Sequence, residues 1–439
     1  MIGDRALAFA AEPASATVRV RLTALELVTL HALVWLVAGS AVGLLLALLL
    51  LAPGLGALLA PLGYGRLVPL HLDLLLYGWC GLPLVGMLLR LFRGPTGGGR
   101  DATLAVHLWS AAVLAGALSW LGGATTGKIF LDWRGGPRWL FLGALVWLAL
   151  ALAAGLGRTS AESGATHDNG LERVARVLLW LSLLSVPPAM WLATEPRVYP
   201  PINPASGGPT GASLLGSTVG LLWVFAAAPW ALGLERPRRR RANAWFLARV
   251  AAHTTVFLAL GHRDASHHDA LQVAALLSLL PWAWGVPTYL RRFDWSPAAR
   301  RWLTPLLVWA AALLATGLLA FLPGVLERVK FTNVLVAHAH VAMAGMCTAF
   351  AALLLAGLAR EGRLASVLER RSLLLAWNLG TVVQVGALLA VGALEAVDPG
   401  VLFRPSSVVA LLYGLRAAGG IAMLWAALGW LRETWGALV

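Results

Sequence analysis

Residues 336–340 read Val-Ala-His-Ala-His and set two histidines, His338 and His340, inside a long apolar segment. Ionisable side chains are rare in membrane-spanning helices, so two imidazoles at such a depth are a candidate functional site. At about 100° per residue, positions i and i+2 point to nearly opposite sides of an α-helix. One helix can therefore stand between two cofactors and ligate each of them. A histidine in another apolar segment, His71, is the natural partner for one of the two rings.

The composition is typical of an integral membrane protein: 59% of the 439 residues are hydrophobic, 12% are charged, and the mean hydropathy is +0.76. Long apolar runs recur roughly every 30 to 40 residues, the pattern of repeated membrane crossings. We therefore predict an all-α polytopic protein in contact with membrane lipid, with one transmembrane domain over residues 1–439. The twelve predicted transmembrane helices cover residues 24–51, 66–91, 102–122, 138–156, 173–193, 212–233, 243–261, 269–289, 302–322, 331–358, 372–394 and 405–430.

The distribution of positive charge predicts how the helices are oriented across the membrane and does not indicate nucleic-acid binding. The net charge is +14, but the arginines cluster between apolar runs, as at 236–241, and lack interleaved aromatic residues. Most Arg and Lys residues lie on the inner side if both termini are cytoplasmic. We expect the protein to lie in a bacterial or archaeal plasma (inner) membrane. Cys80 and Cys347 both fall in apolar runs, which argues against a disulfide framework.

This topology places four histidines in one layer near the outer face. The second and tenth spans enter from the outside, which puts His71, His338 and His340 at similar depths. The seventh span ends on the outside, next to His262. His31 and His107 lie nearer the inner side, away from this layer, and are expected to be structural. His253 is left open between packing and a place near a cofactor or proton path.

Four sequence motifs occur in a fixed order along the chain. They are Tyr-Gly-Arg-Leu-Val-Pro-Leu-His at 64–71, Thr-Gly-Lys-Ile-Phe-Leu-Asp at 126–132, Leu-Val-Ala-His-Ala-His at 335–340 and Arg-Ala-Ala-Gly-Gly at 416–420. In this order and on these helices, they resemble subunit I of the heme-copper oxidase superfamily, nearest to the cbb-type cytochrome c oxidase and nitric oxide reductase branch. Twelve spans is also the core number of that family.

The resemblance implies a set of heme ligands. His71 and His340 would be the axial ligands of a low-spin heme b, and His338 the proximal ligand of a second, high-spin heme. Arg416, well inside the last span, and Arg404, at its outer end, are candidates to bind heme propionates, because a charge-assisted hydrogen bond favours that contact.

The chain departs from the family at the second metal. Family members normally supply three histidines to copper, in oxidases, or to non-heme iron, in nitric oxide reductases. Here the segment 211–220 has no histidine, and 261–269 reads Gly-His-Arg-Asp-Ala-Ser-His-His-Asp. Only His262 stands where the family has a pair, and the span 243–261 has no tyrosine. The sequence therefore does not support a copper or non-heme iron site of the usual kind. If a second metal is bound, His262 is the best single candidate for a ligand.

The function predicted from the resemblance is electron transfer through one or two b-type hemes, in a respiratory complex with partner subunits. Cytochrome c, a cupredoxin or quinol would donate the electrons. One alternative is an active terminal oxidase or nitric oxide reductase whose metal site is remodelled from His262, His267 and His268. The other is a cofactor-free scaffold or transporter, although a scaffold should lose its heme ligands first. No catalytic residue is assigned, and no acidic relay for proton pumping is expected.

Overall fold

The computed structural model describes residues 22–157, 170–195, 197, 211–234, 240–260, 268–359 and 362–439. Regular structure within these ranges is helical, and they contain no β-strand. The long helices are α1 Ala24–Leu51, α2 Tyr64–Arg93, α3 Arg100–Leu121, α4 Gly135–Ala153, α5 Glu172–Ala193, α6 Gly211–Ala231, α7 Arg240–Leu260, α8 Ala270–Leu290, α9 Pro297–Ala320, α10 Asn333–Leu358, α11 Arg371–Val397 and α12 Ser407–Leu438.

Ten of these helices, among the described residues, are long and apolar enough to cross a membrane. The remaining two are α6, which is apolar over the shorter stretch Gly216–Ala231, and α7, whose first ten residues include three arginines. A multi-pass helical membrane protein is therefore supported. The count of twelve spans stays a prediction, because the charged start of α7 lowers its hydropathy.

Side-chain caps fix where several of the helices begin. In a capping box at the start of α1, the Thr23 hydroxyl accepts from the Glu26 amide at 3.2 Å, and the Glu26 carboxylate accepts from the Thr23 amide at 2.8 Å. Thr332 caps α10 and Ser406 caps α12 in the same way, by accepting a main-chain N–H. Such caps satisfy amides that a helix cannot bond itself.

Small residues let α11 and α12 pack closely. A Cβ added at Gly380 would lie 2.7 Å from the Gly419 carbonyl oxygen, and one at Gly419 would lie 2.6 Å from the Gly380 carbonyl oxygen. Only glycine permits this approach, which is typical of helix contacts inside membranes. The contact lies one turn beyond Arg416 and fixes the register of α12 against its neighbour.

Both α2 and α10 contain a seven-residue π-helical segment, Leu74–Cys80 in one and Val341–Cys347 in the other. Each segment begins three residues after a histidine, His71 in α2 and His338 in α10. The indole of Trp79 donates to the Thr348 hydroxyl at 3.0 Å, which ties the two helices together at the end of these segments. Wide turns of this kind are often found at functional sites, and here they occur on the two helices that carry the candidate ligands.

Candidate cofactor site

A cavity between α1, α2, α10, α11 and α12 holds the rings of His71 and His340. Its empty volume, including the open space at its mouth, is about 750 Å³. The walls are mostly apolar, with Trp79, Met343 and Trp377 among them. The structure thus brings together two histidines that are 269 positions apart in the chain.

The separation of these two rings fits a shared metal ion. Their centroids are 6.4 Å apart and their planes are inclined by 28°. With metal–nitrogen bonds of about 2.0 Å and about 1.1 Å from nitrogen to ring centre, two imidazoles on opposite sides of one ion have centroids about 6.2 Å apart. The observed spacing lies close to this value.

The hydrogen bonds of these histidines select the ligating tautomer. Nδ1 of His71 lies 2.8 Å from the Gly39 carbonyl oxygen, and Nδ1 of His340 lies 2.8 Å from the Val336 carbonyl oxygen. A carbonyl oxygen can only accept, so each Nδ1 carries the hydrogen and donates it. Each Nε2 is left with a lone pair, and no residue that the structure describes bonds to it. This is the arrangement of a histidine prepared to bind a metal.

Helix α1 approaches the ring of His71 through a glycine that the sequence analysis missed. A Cβ at Gly43 would lie 2.5 Å from Cε1 of His71, so any side chain there would displace the ring. Gly39, one turn earlier, supplies the carbonyl that orients the same ring. The signal that could have found this pair is their spacing, since two glycines four residues apart in an apolar helix are typical of close helix contacts.

Arg416 reaches the same cavity. Its residue is 6% exposed, it lines the cavity, and its Nε has no hydrogen-bond partner. Nor does the guanidinium form an ion pair with any residue that the structure describes. A buried charge with no counter-ion costs several kcal/mol, so the cavity favours a ligand that carries negative charge.

A second cavity lies on the other side of α10, between α6, α8 and α9. It has an empty volume of about 1230 Å³ and contains the ring of His338. The two histidines of the Val-Ala-His-Ala-His segment therefore line different cavities. The side chain of Met343 lines both cavities and is part of the wall between them.

His338 has the same tautomer as the other two rings. Its Nδ1 lies 2.9 Å from the Thr316 hydroxyl, which itself donates to the Ala312 carbonyl oxygen at 2.8 Å. Because the hydroxyl has already used its hydrogen, it accepts from Nδ1–H of His338, and Nε2 keeps its lone pair. A Cβ at Gly317 would lie 3.2 Å from Cε1 of this ring, so α9 also approaches closely.

Other predicted residues are not brought to either cavity. Arg404 is exposed, pairs with Asp398 and is not among the residues that line the first cavity. His262 and His267 lie outside the described residues. His268 is exposed and contacts Glu327. Within the described ranges, no group of three or more His, Cys, Asp or Glu side chains is placed to hold a metal ion.

His253 is held at both ring nitrogens. Nδ1 lies 3.2 Å from the Arg249 carbonyl oxygen and Nε2 lies 3.1 Å from the Ser278 carbonyl oxygen. Each ring nitrogen lies next to a main-chain oxygen, and His253 lines neither cavity. Its ring ties α7 to α8.

The loop between α3 and α4 covers one side of the first cavity. Phe130 lines the cavity, and its carbonyl oxygen accepts from the Tyr77 hydroxyl at 2.6 Å. The Asp132 carboxylate accepts from the amides of Thr126 and Gly127 at 3.1 and 3.2 Å. Burial raises the pKa of Asp132, and these amide bonds oppose the rise. The Lys128 ammonium donates to main-chain carbonyls at the end of α5. The motif at 126–132 therefore folds into a fixed cap.

No family model matches the chain, and no curated protein matches it either. The candidate site accordingly rests on its own geometry: three histidines of one tautomer, a buried arginine and two separate cavities.

Proposed function

We propose that this chain is a membrane subunit that binds a b-type heme in the first cavity, through His71 and His340, and carries electrons. The observation that supports it most is the pair of facing rings, whose centroids are 6.4 Å apart and whose Nε2 atoms are both left without a partner among the described residues. His71 and His340 would both hold the heme iron, and the heme would supply electron transfer rather than substrate binding.

The residues around the rings have separate roles in this proposal. Gly39 and Val336 hold the two Nδ1–H groups, and so keep each Nε2 directed at the ligand. Arg416, whose buried Nε has no hydrogen-bond partner, would pair with the propionate carboxylates of a heme. The apolar walls would keep water out of the cavity. In the absence of water, the attraction between Arg416 and the carboxylates would be stronger, and so would the effect of the Arg416 charge on the iron.

The resemblance to heme-copper oxidase subunit I supports a wider form of the proposal. On this view the chain crosses a bacterial or archaeal plasma membrane twelve times, with both termini in the cytoplasm. It works beside respiratory partner subunits and receives electrons from cytochrome c, a cupredoxin or quinol.

A second candidate function is an active terminal oxidase or nitric oxide reductase with two hemes. The observation that favours it is the second cavity, which is larger than the first and holds His338 with its Nε2 lone pair unused. A heme bound there would have one protein ligand among the described residues and one open position for a small molecule. A second metal would use His262, His267 and His268, of which His262 and His267 lie outside the described residues.

Purified protein tests these proposals through its heme and metal content. We expect the pyridine hemochrome spectrum to give one or two b-type hemes per chain. Two hemes with one copper or non-heme iron would favour the second candidate. One or two hemes without another metal would favour electron transfer alone. A heme-free protein that is folded by circular dichroism would contradict both and leave the scaffold or transporter.

A further inference from the structure

A groove separate from both cavities lies where α1, α3 and α12 meet. Its empty volume is about 650 Å³ and it is more open than the first cavity. Its rim is apolar and faces outward from the bundle: Val34 is 43% exposed, Leu114 is 52% exposed and Trp435 is 59% exposed. In a membrane these side chains face lipid, so a ligand dissolved in the bilayer can reach the groove directly.

The floor of the groove is polar. Ser110 lies there, buried, and its hydroxyl accepts from the Trp35 indole N–H at 3.2 Å. The same hydroxyl lies 2.7 Å from Nδ1 of His31. No other acceptor for the hydroxyl hydrogen is found in the described part of the chain, so Ser110 donates to Nδ1 of His31. The ring of His107 lies next to that of His31, with centroids 5.2 Å apart.

This hydrogen bond gives His31 the opposite tautomer to the three candidate heme ligands. Because Nδ1 accepts, the hydrogen is on Nε2, which becomes a donor with no acceptor among the described residues. A ring of this tautomer offers a hydrogen bond instead of a lone pair for a metal. The complementary ligand presents a carbonyl or hydroxyl oxygen to Nε2.

The absence of charged residues from the lining of the groove restricts the ligand further. None of its lining residues is Lys, Arg, Asp or Glu. A phosphate or carboxylate head group would have no cation to pair with, and burying it would be costly. An acyl chain alone would leave the Nε2–H donor unsatisfied in an apolar setting. The groove therefore selects a neutral head group that accepts hydrogen bonds, joined to an apolar tail, and the indoles of Trp35 and Trp435 offer flat surfaces for a planar conjugated ring.

We infer that this groove binds a membrane-dissolved quinone, with a ring carbonyl accepting from Nε2–H of His31 and the tail lying along Val34 and Leu114. The groove is on the same helix as the first cavity: His31 and Gly39, whose carbonyl orients His71, are eight residues or about 12 Å apart along α1. A role of this quinone as redox partner of the chain rests on the proposed function, whereas its binding does not.

The test is isothermal titration of the purified full chain in nanodiscs with decylubiquinone. Decylbenzene, which has a ring and the same tail but no carbonyls, serves as the ligand control. We expect decylubiquinone to bind saturably and decylbenzene to bind at least about tenfold more weakly. His31→Ala should weaken decylubiquinone binding by about tenfold, the loss of one hydrogen bond in an apolar site. Ala111→Trp fills the groove from an exposed position and should abolish the binding.

His253→Ala is the matched control, because this histidine lies between α7 and α8 and should leave the affinity unchanged. Equal affinities for wild type, His31→Ala and Ala111→Trp would overturn the inference, as would equal binding of the two ligands or no binding to wild type. Heme content measured on the same samples separates the two proposals. Saturable quinone binding to a heme-free chain would support the groove and contradict the heme site, and a heme-loaded chain without quinone binding would do the reverse.

Discussion

The two cavities beside α10 use the same helix for different chemistry. The first brings two imidazoles together and adds a buried arginine, and under the proposed function these groups would hold a heme iron and pair with its carboxylates. The second is larger and presents His338 alone among the histidines of the described residues. The two-residue spacing thus directs His338 and His340 into different cavities, and under the proposed function only the second cavity would leave a heme with a free coordination position.

The largest expected effect comes from removing either ring of the first cavity. His71→Ala and His340→Ala should each abolish the low-spin heme absorbance of purified protein, because each removes one of two axial ligands. Added imidazole should restore part of the band by filling the vacated position. The control is His253→Ala, which should retain the wild-type spectrum. A full low-spin band in His71→Ala or His340→Ala would show that the first cavity does not bind a low-spin heme through both rings.

Crowding the ring of His71 should have the next largest effect. In Gly43→Val the new Cβ would start 2.5 Å from Cε1 of His71, so the ring or α1 must move. Overpacking of this kind costs about 1–3 kcal/mol, and we expect heme content to fall by about fivefold or more. Gly386→Val is the matched control on α11, where an added Cβ meets open space. Equal heme content in the two variants would contradict the close approach of α1.

Replacing Arg416 by a neutral residue should change the midpoint potential of the heme more than the amount of heme bound. In Arg416→Met the positive charge near the iron is lost, which stabilises ferric over ferrous heme. The midpoint potential of the low-spin heme should fall by on the order of tens of millivolts in a spectroelectrochemical titration. The heme-free form should become more heat-stable, because the variant no longer buries an unpaired charge. A potential that does not move would place the guanidinium away from the cofactor.

The smallest effect is expected in the second cavity. Thr316→Val preserves shape but removes the acceptor that holds Nδ1–H of His338, a loss worth about 1 kcal/mol. The fraction of reduced heme that binds carbon monoxide should fall severalfold, while the low-spin band stays unchanged. A change in the low-spin band instead would mean that the two cavities are not independent.

Much of the helical layout could be predicted from hydropathy alone. The first predicted span, 24–51, has the same limits as α1, and its start is fixed by the capping box of Thr23 and Glu26 before a mostly apolar run. The start of α7 is harder to predict from the sequence, since the arginines there are compatible with either a membrane-spanning or an interfacial helix. The π-helical segments of α2 and α10 follow from packing between helices and leave no local pattern in the sequence.

The candidate site was predicted in part. Imidazoles in apolar segments are visible in a sequence, so His71, His338 and His340 could be singled out, and the tautomers and the Gly43 contact could not. Arg416 lines the first cavity, as expected of a cation deep in a span. Arg404 is exposed and pairs with Asp398, and its expected contact with a propionate stays a prediction.

The central claim is that His71 and His340 share one iron that His338 does not touch. Electron paramagnetic resonance of the oxidised, purified chain tests it most directly. The low-spin ferric signal of two imidazole ligands should be present in wild type and retained in His338→Ala. It should be absent from both His71→Ala and His340→Ala. Loss of the signal in His338→Ala with retention in His340→Ala would contradict the assignment.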